Sequence, residues 1–114
     1  MTRQILFLDL VDDAQLIAAY EDWHRAGRVP AAVIAGIRAS GIREMQIWRR
    51  DDRLVMLIET GPDYDPAAKA ARDAADPETM RWERQMEPMQ RPIPSAQEGE
   101  KWLPAALIFD LATH

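Results

Sequence analysis

The chain has 114 residues, enough for one compact domain with a small core, and the reading taken here is a single domain over residues 1–114. It contains no cysteine, which excludes disulfides, thiolate metal sites and cysteine nucleophiles and suits the cytoplasm. A net charge of −5 offers no basic footprint for nucleic acid and favours a neutral substrate. No apolar run approaches the ~20 residues of a membrane span.

The N-terminus, MTRQILFLDLVDD, reads as a strand over Gln4–Val11 and not as a signal peptide, having no apolar h-region with a small-residue cleavage site. Asp12 and Asp13 can cap the helix that follows by accepting its free N–H groups. That helix runs to about Arg25, with Leu16, Ile17, Tyr20, Trp23 and His24 at helical spacing. Gly27 and Pro30 break it, and a second helical stretch covers Ala31–Ala39 before Gly41. Strands over Ile42–Arg49 and Arg53–Thr60 flank the polar turn Arg50–Asp52 and form a hairpin. Asp65-Pro66 and Asp76-Pro77 are two helix starts with proline in the first turn. They open an alanine-rich helix to Ala75 and a second helix to about Pro88. A proline-rich loop to Glu100 and a final strand over Leu103–Leu111 complete the chain.

The order β-α-β-β-α-β is that of a ferredoxin-like α+β sandwich, with each helical region in two pieces. Its helices cover one face of the sheet, yet Ile5 and Phe7 point opposite to Leu6, Leu8 and Leu10, and Val55 and Leu57 opposite to Leu54, Met56 and Ile58. A sheet apolar on both faces needs a second cover. A second copy, giving a dimeric α+β barrel, is the simplest; the proline-rich loop folded across the sheet is the alternative.

Groups with acid–base chemistry near neutrality are scarce. Of two histidines, His114 ends the chain and His24 is internal. His24 follows Tyr20 by four residues, so the two share a helix face turned toward the core or a cavity. An imidazole there can serve as a general acid–base; a core histidine satisfied by backbone or tyrosine is the plainer reading. Four tryptophans add aromatic faces that pack on sugar C–H groups. Trp23 fits the core, whereas Trp48, Trp82 beside Glu83, and Trp102 after the loop are candidate sugar contacts. No histidine pair or carboxylate spacing suggests a metal, no glycine-rich loop suggests a phosphate, and no cofactor is implied.

Taken together, AYEDWH (with Tyr20 and His24), Pro30, GIREMQIW ending at Trp48, RLVMLIE, ADPETMRWERQM around Trp82, and a closing strand with Ile108 and Phe109 resemble the L-rhamnose mutarotase family. The resemblance spans nearly the whole chain and implies a cofactor-free dimeric α+β barrel acting on a monosaccharide. It makes His24 the proton donor and Tyr20 a sugar-binding residue. A second binding position, tyrosine in the family, falls on Met45, and a family Trp-Trp pair falls on Trp82-Glu83. The ending GEKWLPAALIF, with Lys101 and Trp102, is similar to a subgroup associated with L-fucose, which is favoured over L-rhamnose. Mutarotation needs one group to protonate the ring oxygen and another to take the anomeric proton, which fits this inventory. A cofactor-free monooxygenase or small isomerase of the same barrel type is the rival enzyme reading, since fold does not decide chemistry. A non-catalytic sugar-binding module is the third.

Overall fold

A computed structural model describes residues 2–114. The first strand, β1 (Thr2–Leu10), leads into α1 (Ala14–Trp23) and α2 (Ala31–Ala39). The hairpin β2 (Ile42–Arg50) and β3 (Arg53–Thr60) follows, then α3 (Pro66–Ala75) and α4 (Pro77–Met86). Two short strands, β4 (Gln90–Arg91) and β5 (Leu103–Pro104), end the regular sheet.

Three of the four helices, α1, α3 and α4, begin where a short acidic side chain meets their free N–H groups, while α2 starts at Pro30 without a side-chain cap. Asp13 Oδ1 accepts from the amides of Gln15 and Leu16 at 2.9 and 3.0 Å. Asp65 Oδ1 does the same for Ala67 and Ala68 at 3.0 and 3.3 Å. Asp76 accepts from Glu78 N and from Thr79 Oγ1, the latter at 2.7 Å. Pro66 and Pro77 occupy the first turns, where a missing N–H removes no helical bond. Gly41 closes α2 with φ +98°, and a Cβ there would lie 3.1 Å from the Tyr64 backbone, so both conformation and space call for glycine.

The sheet is antiparallel in the order β2-β3-β1, with β4 and β5 sharing the free edge of β1. The β1–β3 register runs from Thr2↔Thr60 to Asp9↔Arg53. Leu8, Leu10, Leu54 and Ile58 project from one face and are buried, and Leu10 and Leu54 pack with Tyr20 of α1, Met86 of α4 and Met89. Asp9, also buried, is held by Arg53 through two bonds of 2.8 and 3.1 Å, which keeps its charge paired in the interior. On the opposite face Ile5, Phe7, Val55 and Leu57 are half-buried with no helix over them. This is the predicted layering.

Two expectations need correction. The stretch read as loop from Pro88 contains a helical turn, Glu87–Met89, and then β4, which pairs Gln90 with Leu10 and Arg91 with Asp9. The strand expected over Leu103–Leu111 pairs with β1 only at Leu103 and Pro104, with one further bond from Ala105 N to Ile5 O at 2.7 Å. Pro104 offers the ladder no N–H, and beyond it Leu107, Ile108, Phe109 and Leu111 are exposed, Ile108 at 95%. Their hydrophobic pattern reads as a strand, but this edge covers neither of their faces. Among the described residues no helix is long and apolar enough to cross a membrane.

Candidate active site

Between the buried face of the sheet and the helices lies a cavity of about 360 Å³, within the range of small-molecule sites. Its two ends differ. Val33, Ile34 and Ile37 of α2 with Ile42, Ile47 and Met56 of the sheet line one end, together with the Lys69–Asp73 ion pair of α3. At the other end Tyr20, His24, Trp82, Glu83, Lys101 and Gln90 converge from α1, α4, the last loop and β4.

His24 caps the C-terminus of α1, where the chain leaves helical geometry (φ −94°, ψ 4°). Its Nδ1–H donates to the Tyr20 carbonyl at 2.7 Å. A carbonyl can only accept, so the proton sits on Nδ1 and Nε2 is the nitrogen available for exchange. The ring is held between two aromatics: Tyr20 with centroids 4.3 Å apart, and Trp82 edge-on at 5.3 Å. Trp82 is braced in turn by Trp23 at 6.5 Å, and Arg28 lies 4.7 Å over the Trp23 ring. Trp23 is thus packing, as its spacing suggested, while Trp82 presents its surface to the cavity.

Tyr20 is 4% exposed, and its hydroxyl accepts from Gln90 Nε2 at 3.3 Å. Burial pushes the phenol above its ordinary pKa; the Gln90 bond works against this and the Glu83 carboxylate reinforces it. Tyr20 is therefore a neutral hydroxyl at physiological pH. Its oxygen already accepts one bond, so its proton is free to donate into the cavity. At the rim Lys101 Nζ donates to Glu83 Oε2 at 3.3 Å, both side chains half-buried. The pair places an anionic acceptor and a cationic donor beside Trp82 and Trp102.

Seven of the eight residues singled out in the sequence, Tyr20, His24, Met45, Trp82, Glu83, Lys101 and Trp102, line this one cavity. Trp48 does not: it is 63% exposed, and its indole N–H donates to Gln46. The reason is a bulge between Ile42 and Glu44. Unbroken alternation would put Trp48 on the same face as the cavity-lining Ile42; the extra residue turns Met45 and Ile47 inward instead. Gln90 was not foreseen, because nothing local marks a two-residue strand inside a proline-rich stretch. Among the described residues no His, Asp or Glu cluster has the arrangement of a metal site.

This architecture, with a cavity built on the sheet's helix-covered face, is that of the dimeric α+β barrel proteins. Residues 3–111 match the family model for L-rhamnose mutarotase, and the chain belongs to that family. It is 52% identical over 112 residues to the L-fucose mutarotase of Xanthomonas campestris pv. campestris, covering 98% of this chain and 90% of that one. A UPF0734 protein of Dictyostelium discoideum is 32% identical over 108 residues, 91% of this chain and 85% of its own. Among solved structures, L-rhamnose mutarotase from Formosa agariphila superposes with a TM-score of 0.67 at 13% identity, covering 97% of this chain and 99% of that one. The tetracenomycin F2 cyclase of Streptomyces glaucescens superposes with a TM-score of 0.54 at 20% identity, covering 96% of each chain. At those identities the two structures speak for the fold alone.

Proposed function

We propose that this chain is a sugar mutarotase acting as a single domain over residues 1–114, with L-fucose its substrate ahead of L-rhamnose. The observation that carries the reading is His24: its Nδ1 is engaged by a backbone carbonyl and its Nε2 is left for proton exchange, in a cavity shared with a neutral phenol and a carboxylate. The 52% identity to an L-fucose mutarotase supports the choice of sugar.

In the proposed step the His24 imidazolium gives its Nε2 proton to the ring oxygen while Glu83 takes the proton of the anomeric hydroxyl. The C1–O5 bond breaks, the C1=O1 carbonyl forms, and His24 is left neutral with Glu83 protonated. After rotation about C1–C2 the 5-hydroxyl closes on the other face of C1. His24 recovers the proton from O5, and Glu83 returns its proton to O1. Each group ends as it began, and no electrons leave the sugar. Tyr20 donates to a hydroxyl, Trp82 lies under the C–H face, and Lys101 holds the Glu83 carboxylate; Met45 and Trp102 complete the walls. Holding sugar and proton donors in one geometry adds to the effect of the acid–base pair.

Polarimetry on freshly dissolved α-L-fucose tests this reading. The first-order relaxation rate is expected to rise linearly with protein concentration, and to rise less with α-L-rhamnose. No acceleration with either sugar defeats the mutarotase reading; a faster reaction with L-rhamnose defeats the choice of L-fucose.

The working unit we infer is a homodimer formed through the uncovered sheet face. Supporting it are the half-buried Ile5, Phe7, Val55 and Leu57 and the exposed Leu107, Ile108 and Phe109, large apolar side chains of the kind that mark interaction surfaces when grouped. Sedimentation velocity is expected to give twice the 13.0 kDa chain mass, and Leu57→Glu a species near the single-chain mass. A wild-type protein that sediments as one chain at micromolar concentration contradicts this assembly.

A further inference from the structure

Gln90 is absent from every motif above, yet it joins the phenol of the site to the edge of the sheet. Its backbone is fixed in β4, opposite Leu10, and its side chain lines the polar end of the cavity. The amide nitrogen donates to Tyr20 Oη at 3.3 Å. The amide oxygen, Oε1, is shielded from bulk solvent, and no donor among the described residues reaches it. A buried carbonyl oxygen without a donor is unfavourable, and native interiors rarely keep one unless a ligand or ordered water answers it. Gln90 itself lines the cavity already assigned to the sugar.

We propose that Gln90 is a specificity-determining residue: Oε1 accepts a hydrogen bond from one ring hydroxyl of the 6-deoxyhexose, while Nε2 holds Tyr20 so that the phenol donates to the same sugar. This rests on the mutarotase reading and adds a sugar contact to it. The chemistry suits a neutral polyol. A primary amide offers a carbonyl acceptor and two N–H donors in a plane without charge; here one N–H is engaged by Tyr20 and the acceptor has no partner among the described residues, so Oε1 selects for an O–H. An analogue lacking that hydroxyl leaves Oε1 unanswered, and a site built to bond a hydroxyl discriminates strongly against its absence. Because the Tyr20 oxygen accepts from Gln90, losing the amide also frees the phenol to turn its proton away from the sugar, so Gln90 positions a second contact besides making its own.

The test compares L-fucose with its 2-deoxy, 3-deoxy and 4-deoxy analogues on wild-type protein, Gln90→Met and Gln90→Glu. Anomer exchange is measured by NMR and Kd by titration. Wild type is expected to lose about tenfold or more in kcat/KM on one analogue and less on the others, the scale of one unmet buried acceptor. Gln90→Met should treat L-fucose and that analogue alike, both near the wild-type value for the analogue. Gln90→Glu, which keeps an acceptor, should retain the discrimination. A uniform fall on all four sugars, or discrimination unchanged in Gln90→Met, overturns the assignment. Should Gln90→Met not fold, the side-chain amide signal of wild-type protein that Gln90→Glu lacks decides instead: it is expected to shift on L-fucose binding, and a fixed signal overturns the assignment. Wild-type protein that binds L-fucose without accelerating exchange defeats the mutarotase reading but leaves the same comparison of Kd values to decide Gln90. Protein that binds none of the sugars defeats both.

Discussion

His24→Ala is expected to lower the catalysed rate of anomer exchange by ~10²–10⁴-fold, the usual contribution of one positioned acid–base group, with the fold intact. The residue ends α1, is half-buried, and contributes its ring to the cavity wall with no role in the tightly packed cluster of Leu10, Tyr20, Leu54, Met86 and Met89. Its loss removes the bond to the Tyr20 carbonyl, but that carbonyl lies in the last turn of a helix, where water can replace the donor. The far-ultraviolet circular dichroism should therefore match wild type. Residual acceleration is expected from orientation of the sugar by Tyr20, Trp82 and Gln90. His24→Ala retaining full activity removes His24 from the chemistry and leaves Glu83 with Lys101 as the proton-handling groups of the site.

Leu10→Ala is expected to cost about 2–5 kcal/mol of folding stability, the range for deleting a fully buried leucine side chain that leaves a partly relaxed cavity. Leu10 has no exposed surface and packs in the cluster that seats Tyr20; it is also the residue of β1 that pairs with Gln90. With total stability of small domains at about 5–15 kcal/mol, this is a large fraction. With a urea dependence of roughly 1–3 kcal/mol per M, the midpoint should fall on the order of 2 M. Because both Tyr20 and Gln90 rest on Leu10, KM for the sugar is expected to rise in the fraction that remains folded. An unchanged urea midpoint contradicts the placement of the core.

What could be read in the sequence is what depends on near neighbours. Asp13, Asp65-Pro66 and Asp76-Pro77 mark helix starts because a cap needs a side chain only two or three residues from the amides it meets. The Tyr20–His24 pair follows from helical spacing, and its contact is realised at 4.3 Å between ring centroids. Family resemblance added Met45 and joined it with Trp82 and Glu83, which no local pattern brings to one place. The features that escaped depend on distant pairing or on parity. Gln90 reaches the cavity because β4 adds two residues to the edge of β1, 80 positions earlier in the chain for its partner Leu10. Trp48 leaves it because one bulge reverses the alternation of β2. The closing strand stops at Pro104 because the proline takes a donor from the ladder and the large apolar residues after it stay mostly exposed.

In the proposed mechanism a proton passes between the imidazole of His24 and a sugar ring held against Trp82. Magnetisation transfer between the two anomeric protons of L-fucose, recorded with and without wild-type protein at equal pH, measures it most directly. Transfer is expected to grow in proportion to protein and to fall to near the solvent level with His24→Ala at the same concentration. Equal transfer with and without wild-type protein, under conditions where titration shows the sugar bound, would contradict it.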